Sequence, residues 1–467
     1  MKLRIVLVLF MLAVGIQLFA QSVPKDEDRF FYGSEVDKDF AVVRPNYSFS
    51  NKGIQYGAIL SPIFMYEDNN YGSLSSYILN AKVWAKVYLW SNSFLYVSGR
   101  NSYTGFISTD GAYEDLEADN VLDLDQAFLA MAYLNNSLNF SLGRKYYMMG
   151  TGLVLNGRGD GAEFLWHSSY FDLNLLGLYT GLLLKDNNPY GLKNMADISD
   201  GAKRMFSGGT LSFNFYNQKL YMFGLVQMDF SDQTTGEETK YDSQYYGIGL
   251  DGVLFSNLAY YAEFVYEMGT SYNSKELDST GKPIDPHEKA DIAAFAINSG
   301  INYYIPVALS PVLILQYSFG SGDEYRTDYN YSNRTENING DPTDNDARGK
   351  DKGFIAFGTF AGGYALRPAI GNMHIIRAGF SFAPFRPISL GAKYLYYLKD
   401  KKDAPINSGE ADMPEAFIGQ GVDVSLRWQL YSDLSMYVNY GLFMPGDAYD
   451  SSFGNCNFVM AGINLSI

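Results

Sequence analysis

Residues 419–467 decide the fold, and they read GQGVDVSLRWQLYSDLSMYVNYGLFMPGDAYDSSFGNCNFVMAGINLSI. In three runs of this stretch, apolar side chains stand at every second position, with polar or mixed side chains between them. The runs cover residues 422–430, 434–442 and 459–467. Alternation with a period of two over about ten residues, with the apolar side facing outward, is typical of strands in a transmembrane β-barrel.

The third run includes the last residue of the chain, Ile467. A strand at the very end suits a barrel that closes when its last strand pairs with its first. Closure is required because lipid cannot hydrogen-bond to the backbone groups of an open edge. We therefore expect a closed antiparallel transmembrane β-barrel, and we expect the barrel-assembly machinery to bind this C-terminal strand.

The same alternation continues upstream and predicts about eighteen strands, or sixteen if the short sixth strand, 161–167, and its neighbour are misread. Tight turns rich in Asn, Ser, Asp and Pro are expected at 91–93, 135–137, 217–218, 255–257, 384–387 and 431–433. Long polar loops are expected at 107–120, 185–205, 269–289, 320–353 and 400–415. This alternation is typical of outer-membrane barrels, in which short turns face the periplasm and long loops face outside.

The longest loop, 320–353, is rich in Asp, Asn, Glu and Gly, and its continuation, 354–371, is apolar with many glycines. Loops of this length in a compact domain are usually functional or disordered. One expectation is therefore that this loop folds into the mouth of the barrel as a constriction.

The N-terminal residues have the composition of a secretory signal. Lys2 and Arg4 supply the positive charge, residues 5–14 the apolar core, and residues 18–20 a cleavage site. We expect a signal peptide at 1–20, a periplasmic N-terminal lead or plug at 21–54, and the barrel at 55–467.

Composition excludes several classes of protein. A net charge of −16 disfavours nucleic acid as a partner. Aromatic residues make up 16% of the chain, which fits the aromatic girdles of a barrel in lipid. The one cysteine, Cys456, cannot form an internal disulfide. No later segment has about 18 unbroken apolar residues, so no helical span is expected in the mature chain.

Motif matches to enzymes and cofactor sites are weak. Residues 247–252 spell G-x-G-x-x-G, but a strand continues where a phosphate-binding helix would begin. The glycines around Arg158-Gly159-Asp160 favour a flexible turn. His167 precedes two serines, yet an interfacial histidine is the simpler interpretation than a barrel hydrolase. No histidine has a second ligand at metal spacing. We expect no enzyme, no cofactor and no metal.

Charged residues inside the predicted strands show which face of each strand points into the barrel. Alternate positions of a strand face opposite sides of the sheet, so residues of the same parity (odd or even) share a face. In the second strand, Leu79 and Val83 belong to the lipid face, which leaves Lys82 and Lys86 inside. A cation at the lipid midplane costs about 2–4 kcal/mol, so an inward position is enforced. The predicted pore-lining basic residues are Lys82, Lys86, Arg100, Arg144, Arg377, Lys393 and Arg427, and the predicted pore-lining acidic residues are Asp229, Asp251, Glu263 and Glu267.

Arg144 shares parity with Leu142, so it must lie at the rim or follow a bulge at Gly143. When the barrel closes, the basic residues gather on one wall and the acids on the opposite wall. Two interpretations stay open: a transverse field that selects charged solutes, or salt bridges that only stabilise the lumen. An eighteen-stranded barrel is wide enough for an aqueous channel.

Several segments resemble the alginate-export family of outer-membrane barrels. They are 142–144 with the glycine-rich 150–161 and Phe164, the tyrosine-rich strand end 317–323, the Asn-containing 371–379, and the closing hairpin 421–423 with 443–447. The resemblance implies an eighteen-stranded barrel with an arginine-lined, anion-conducting lumen that passes an acidic polysaccharide, and it implies Arg144 and Arg377 as pore cations. Inward lysines and acids depart from a uniformly cationic pore.

The function we expect is therefore a porin-like channel in the bacterial outer membrane. The expected solutes are charged or saccharide-like, and export of an acidic polysaccharide is included. The alternative is a plugged barrel that binds or adheres to a partner through its long acidic loops. Outer-membrane lipid, small charged solutes and anionic saccharides are the expected partners.

Overall fold

The computed structural model describes residues 53–90, 92–180, 203–230, 241–255, 257–274, 289–323, 350–358, 360–406 and 410–467. The predicted signal peptide, nearly all of the predicted N-terminal lead, and parts of four predicted loops lie outside these ranges. In the described part of the chain, no helix has the length and hydropathy needed to cross a membrane.

The described residues form twenty β-strands. They are β1 (Ile54–Asn69), β2 (Gly72–Tyr88), β3 (Ser93–Thr109), β4 (Asp119–Tyr133), β5 (Leu138–Met149), β6 (Leu155–His167), β7 (Phe171–Tyr179), β8 (Arg204–Phe215), β9 (Gln218–Asp229), β10 (Asp242–Leu254), β11 (Leu258–Ser274), β12 (Lys289–Tyr304), β13 (Val312–Gly320), β14 (Lys350–Asp351), β15 (Phe357–Gly358), β16 (Met373–Phe385), β17 (Ile388–Lys399), β18 (Phe417–Gln429), β19 (Leu434–Pro445) and β20 (Cys456–Ser466).

Two of the twenty, β14 and β15, are two-residue strands inside the barrel, and the other eighteen form its wall. Each wall strand pairs antiparallel with its neighbour in sequence, and β13 pairs with β16 across the insertion. β20 pairs with β1 and closes the sheet. The predicted eighteen-stranded closed barrel is confirmed, and the predicted G-x-G-x-x-G stretch lies within β10.

Short turns and long loops separate to the two ends of the barrel, as predicted. Ile54 and Ser466 lie at the end with the short turns. Asn135 and Asn136, with φ of 55° and 68°, occupy the left-handed region in one of these turns, a region that asparagine tolerates better than most residues. One connection at the loop end is also tight, because β1 and β2 pair up to Asn69 and Gly72.

The alternation of side chains is visible in solvent exposure. In β2, Leu79 and Val83 are 49% and 62% exposed, whereas Lys82 and Lys86 are buried. Large apolar side chains are exposed in the same way around the barrel. A continuous apolar surface of this extent marks contact with a membrane rather than with water. The wall therefore presents its apolar side to lipid.

The hairpin of β5 and β6 leaves the wall halfway along its length. β4 pairs with β5 only up to the Ala127–Arg144 pair, and β7 pairs with β6 only up to Tyr179–Asp160. Beyond these points β5 and β6 pair with each other, as far as the tip. We call residues 145–159 the inward hairpin, and we call the resulting gap between β4 and β7 the breach.

Gly143 permits this departure. Its φ is 130°, in the region that side chains rarely adopt, and an added Cβ would lie 2.2 Å from the Ala127 carbonyl oxygen. The turn predicted around Arg158-Gly159-Asp160 is wrong, because these residues belong to β6. Gly161, the next residue of the strand, lies so close to β7 that an added Cβ would be 2.1 Å from the Gly177 carbonyl oxygen.

A second element crosses the barrel interior, and we call it the inner segment (350–372). Its β14 pairs in parallel with β12, and its β15 pairs in parallel with β6 of the inward hairpin. The Phe357 N–H also donates to the Val154 carbonyl over 2.8 Å. The inner segment and the inward hairpin therefore support each other in the lumen.

From β6 the inner segment continues to the opposite side of the barrel. The Tyr364 N–H donates to the Asp423 carboxylate on β18 at 3.2 Å, and Arg367 forms an ion pair with Glu67 on β1. The chain then rejoins the wall at β16. The described part of the longest connection thus lies within the barrel. Residues 324–349 of the predicted constriction lie outside the described ranges.

Apolar packing holds both inward elements in place. Leu153, Val154 and Leu155 of the inward hairpin are nearly inaccessible to solvent, as are Phe354 and Phe357 of the inner segment. They pack with lumen-facing residues of the wall in one large hydrophobic cluster. Full burial of each large apolar side chain contributes about 1.5–3 kcal/mol, so both elements are fixed parts of the fold.

Candidate functional site

A cluster of charged side chains lies at mid-height of the barrel, beside the breach. We call it the breach cluster, and its members are Lys82, Arg100, Asp123, Asp125, Arg144, Arg158 and Asp160. Lys82 Nζ lies 2.5 Å from Asp125 Oδ2. Arg158 contacts two carboxylates: Nη1 lies 3.1 Å from Asp125 Oδ1, and Nη2 donates to Asp123. Every member is buried or nearly so.

Sheet register places three of these side chains on one face. Lys82 stands opposite Arg100, and Arg100 stands opposite Asp123, in adjacent strands. The β3–β4 register shifts by one residue at Asp125, because Ser98 pairs with Gln126 and the next residue pairs with Leu124. A bulge of this kind re-aims side chains locally. Asp123 and Asp125 share the inner face by ordinary alternation, and after the bulge Gln126 and Phe128 face inward instead of the odd-numbered residues.

Arg144 and Arg158 also bond to the backbone of β4. Arg144 Nη1 donates to the Leu124 carbonyl at 3.4 Å, and Arg158 Nη1 donates to the Asp125 carbonyl at 3.2 Å. Arg144 binds Asp160 in bidentate fashion, at 2.7 Å from Nε and 2.6 Å from Nη2. These bonds occur where β5 no longer pairs with β4. Guanidinium groups thus supply donors to β4 in a region where lipid cannot.

The breach cluster carries four cations and three carboxylates, hence one positive charge in excess. Three of the predicted pore-lining residues, Lys82, Arg100 and Arg144, meet here. The three carboxylates and Arg158 were not among the predicted residues. Parity could have found Asp123 and Asp125, because they alternate with exposed leucines in β4. Arg158 and Asp160 gave no such signal, since the glycines around them indicated a turn.

The remaining predicted basic residues have separate surroundings. Lys86 lies with Nζ 4.0 Å from the centre of the Phe94 ring. Arg377 is buried, donates to the Ala361 carbonyl of the inner segment at 2.7 Å, and so ties that segment to β16. Lys393 and Arg427, on β17 and β18, are partly exposed. The structure therefore does not bring these four residues into the breach cluster.

Among the predicted acids, Glu263 anchors the inward hairpin. Its carboxylate accepts hydrogen bonds of 2.7 Å from the Thr151 N–H, from the Thr151 hydroxyl and from the Tyr221 hydroxyl. Thr151 lies at the tip of the hairpin, so this contact spans the lumen from β5 to β11. These three hydrogen-bond donors offset the free-energy cost of burying the carboxylate, and none of them is a cation.

Glu267 anchors the inner segment in a similar way. It accepts hydrogen bonds from the hydroxyls of Tyr241 and Tyr245, at 2.5 and 2.8 Å, and from the Ile355 N–H at 3.0 Å. The side chain is fully buried. Both glutamates thus position the elements that narrow the lumen.

The other two predicted acids lie beside basic residues of neighbouring strands. Asp229 Oδ2 lies 3.1 Å from Nη2 of Arg204, and both side chains are buried. Asp251 is half-buried and stands opposite Lys219 in the β9–β10 register. The acids on β9 to β11 therefore make local contacts, and the basic wall has its own carboxylates.

Arg367 lies at the loop end of the lumen, where the inner segment meets β1. Its guanidinium pairs with Glu67, stacks 4.6 Å from the Phe458 ring centre, and is 46% exposed. Asn69 Nδ2 donates to Glu67 at 2.9 Å and to the Tyr113 hydroxyl at 2.7 Å. Burial raises the pKa of the Tyr113 phenol, which therefore stays neutral at physiological pH.

The candidate metal ligands and the His167–Ser168 pair can be located within the described ranges. No group of three or more His, Cys, Asp or Glu side chains there is placed to hold a metal ion. His167 lies exposed at the turn end, with Nδ1 3.0 Å from Asp172 Oδ1. Ser168 instead accepts hydrogen bonds within its own turn, from the Tyr170 and Phe171 N–H groups. Its hydroxyl stabilises the turn.

Comparison with known proteins identifies similar sequences and folds. Residues 207–456 match the sequence model of the alginate export family. No curated protein matches the sequence. Among solved structures, OccK2 (OpdF) of Pseudomonas aeruginosa is 11% identical, with a TM-score of 0.54 over 89% of this chain and 100% of that chain.

Two further structures are similar to the same extent. A BenF-like porin from Pseudomonas fluorescens Pf-5 is 8% identical, with a TM-score of 0.56 over 89% of this chain and 99% of that chain. OccK2 in complex with glucuronate is 10% identical, with a TM-score of 0.54 over 89% of this chain and 100% of that chain. At such low identity the likeness is one of fold.

Proposed function

Because the chain belongs to the alginate-export family, we propose that it is a channel for saccharide-like solutes that carry a carboxylate. The protein is a porin-like barrel of the bacterial outer membrane, as the sequence predicted. Its short turns face the periplasm and its long loops face outside. The family and the fold support a channel for solutes, and the charges in the lumen support the narrower class.

The observation that carries this proposal is the excess of positive charge in the breach cluster. Two inward elements narrow the lumen at this height, so a passing solute comes close to the cluster. Within a narrow, weakly screened space, an excess of one sign of charge biases which ions enter. Because the excess is a single charge, we expect a modest preference for anions.

Arg367 supports the same solute class at the outer mouth. Its half-exposed guanidinium has donors directed to solvent, and a guanidinium binds carboxylates through two parallel hydrogen bonds. Neighbouring Asn69 and Tyr113 offer hydrogen-bonding groups suited to sugar hydroxyls. The glucuronate held by the similarly folded OccK2 is a sugar carboxylate of this kind. Polymers of such sugars are the longer substrates in the same class.

Conductance in planar bilayers tests the proposal. With a salt gradient, we expect a reversal potential that shows mild anion preference, and we expect glucuronate to reduce the current. Arg100→Gln removes the excess charge of the breach cluster and should bring the permeability ratio close to one. Arg386→Gln, at an exposed periplasmic turn, is the control and should change neither property. Cation preference in the unmodified protein would contradict the proposal.

A plugged barrel is the second candidate, because the inward hairpin and the inner segment meet inside the lumen. The Phe357–Val154 hydrogen bond joins them directly. In that case, folded protein shows no conductance, and function resides in the outer loops. Deletion of 324–349 then tests whether the longest loop binds a partner, since binding should be lost while the barrel still folds.

A further inference from the structure

A cavity of about 440 Å³ opens on the outer surface of the barrel, next to the breach. The described residues that line it are Asp160, Gly177, Leu178, Tyr179, Met205 and Phe230. All except Asp160 are apolar, aromatic or glycine. The cavity therefore combines an apolar lining with one carboxylate.

The cavity faces lipid on the loop side of the breach. Met205 and Phe230 are 39% and 50% exposed, as is typical of the lipid-facing residues of this barrel. Tyr179 ends β7, Met205 is the second residue of β8, and Phe230 follows β9. All three thus lie near the loop end of the strands. Apolar lining that is continuous with the membrane surface favours an occupant from the membrane.

Gly177 keeps the cavity open. A Cβ built at this position has no other atom within 4 Å, whereas most strand glycines of this barrel have close neighbours. Its parity is that of Leu175, which is 46% exposed to lipid. A larger side chain at Gly177 would therefore project into the cavity and fill it without moving the wall.

Asp160 gives the cavity its polar end. Its two oxygens accept hydrogen bonds from Arg144, and the side chain is 14% exposed. A carboxylate has about four acceptor positions, so capacity remains for a further donor. A head group with hydroxyl or amide donors suits this position. A second carboxylate would be repelled by Asp160 at hydrogen-bonding distance.

We propose that this cavity binds the acyl chain of a membrane amphiphile whose hydrogen-bond-donating head lies at Asp160. The chain occupies the space beside Gly177 and Leu178, and the head reaches the breach, where β4 and β7 are not paired. The site lies outside the lumen and does not depend on what the lumen conducts.

Binding of dodecanoyl glycerol to the folded protein in amphipol, followed by native mass spectrometry, tests the site. We expect the unmodified protein to bind one molecule, and Gly177→Leu to weaken that binding about tenfold because the side chain occupies the cavity. Gly224→Leu is the matched control. Gly224 lies in β9, and an added Cβ there meets only an ordinary contact at 3.9 Å. It should bind like the unmodified protein.

Phe230→Ala provides a second variant, because Phe230 lies beyond the end of β9 and its loss should not prevent folding. It removes part of the lining, so we expect several-fold weaker binding. Dodecanoate should bind more weakly than dodecanoyl glycerol to the unmodified protein. Equal binding to Gly177→Leu and the unmodified protein would overturn the proposal, and so would tighter binding of dodecanoate. Heat-modifiable gel mobility confirms that each variant is folded.

Discussion

The wall around the breach differs from the wall formed by β9 to β12. In the latter, β10 pairs along almost its whole length with β9 on one side and β11 on the other. The two inward carboxylates of β11, Glu263 and Glu267, accept their hydrogen bonds from neutral hydroxyl and N–H donors. Around the breach, pairing stops halfway, and carboxylates there meet arginine and lysine.

The difference shows what replaces a backbone ladder inside a membrane protein. On β11, where the sheet is complete, the two buried glutamates hold inward elements, and hydroxyl and N–H donors are sufficient for them. Where β5 leaves β4, backbone carbonyls lose strand partners, and guanidinium groups supply the donors. Buried guanidinium groups need carboxylates in turn, because an unpaired buried charge is very costly. The breach cluster is therefore a consequence of the interrupted pairing between β4 and β5.

Removing Arg158 should have the largest effect. Arg158→Met leaves Asp123 and Asp125 without their shared partner, and the expected loss of folding free energy is about 3–5 kcal/mol. Denaturant unfolding in lipid vesicles, followed by tryptophan fluorescence, measures it. Arg386→Met at an exposed turn should stay within about 0.5 kcal/mol of the unmodified protein. Equal stability of the two variants would mean that the breach does not depend on charge.

Glu267→Gln tests the wall formed by β9 to β12, where strand pairing is complete. It should lower the folding free energy by less than Arg158→Met does. The glutamine side chain keeps the shape of glutamate but replaces one acceptor oxygen with an NH2 group. That group then faces hydrogen-bond donors, which costs about 2–3 kcal/mol. We expect faster hydrogen exchange in the inner segment, including Ile355, while β10 exchanges as before. Unchanged exchange of the inner segment would show that apolar packing alone holds it.

Gly143→Ala probes the point where the hairpin departs. Because φ is 130° and the Ala127 carbonyl is close, the expected cost is about 1–2 kcal/mol. Denaturant unfolding measures this cost as well. Gly224→Ala, at a strand position without positive φ, should be close to neutral. If both glycines tolerate alanine equally, the departure of the hairpin needs no special backbone conformation.

Arg367→Gln should have the smallest effect on stability, within about 0.5 kcal/mol, since exposed ion pairs contribute little. Its expected effect is on solute binding: block of current by glucuronate added at the loop end should weaken several-fold. Lys401→Gln, another cation at the loop end, is the control and should leave the block unchanged. Equal block in both variants would remove Arg367 from the pathway.

Much of the fold could be predicted because lipid imposes a strict rule on each strand. Apolar residues must face outward at every second position, so the local sequence specifies strand positions and faces. Lys82 and Arg100 were placed inside on this basis, and both are buried or nearly so. Arg144 falls on the apolar face by this rule, so the sequence predicted either a position at the rim of the barrel or a bulge at Gly143. The structure instead has the hairpin bend at Gly143, with Arg144 bonded to Asp160.

The barrel, its eighteen strands and the separation of turns from loops can therefore be read from local sequence, because these features depend on short-range alternation. Tertiary structure decided that β5 and β6 turn inward, where the inner segment runs, and which acid meets which base. Contacts such as Glu263 with Thr151 join residues far apart in sequence. They depend on how the closed barrel brings distant strands together, and no local pattern records that arrangement.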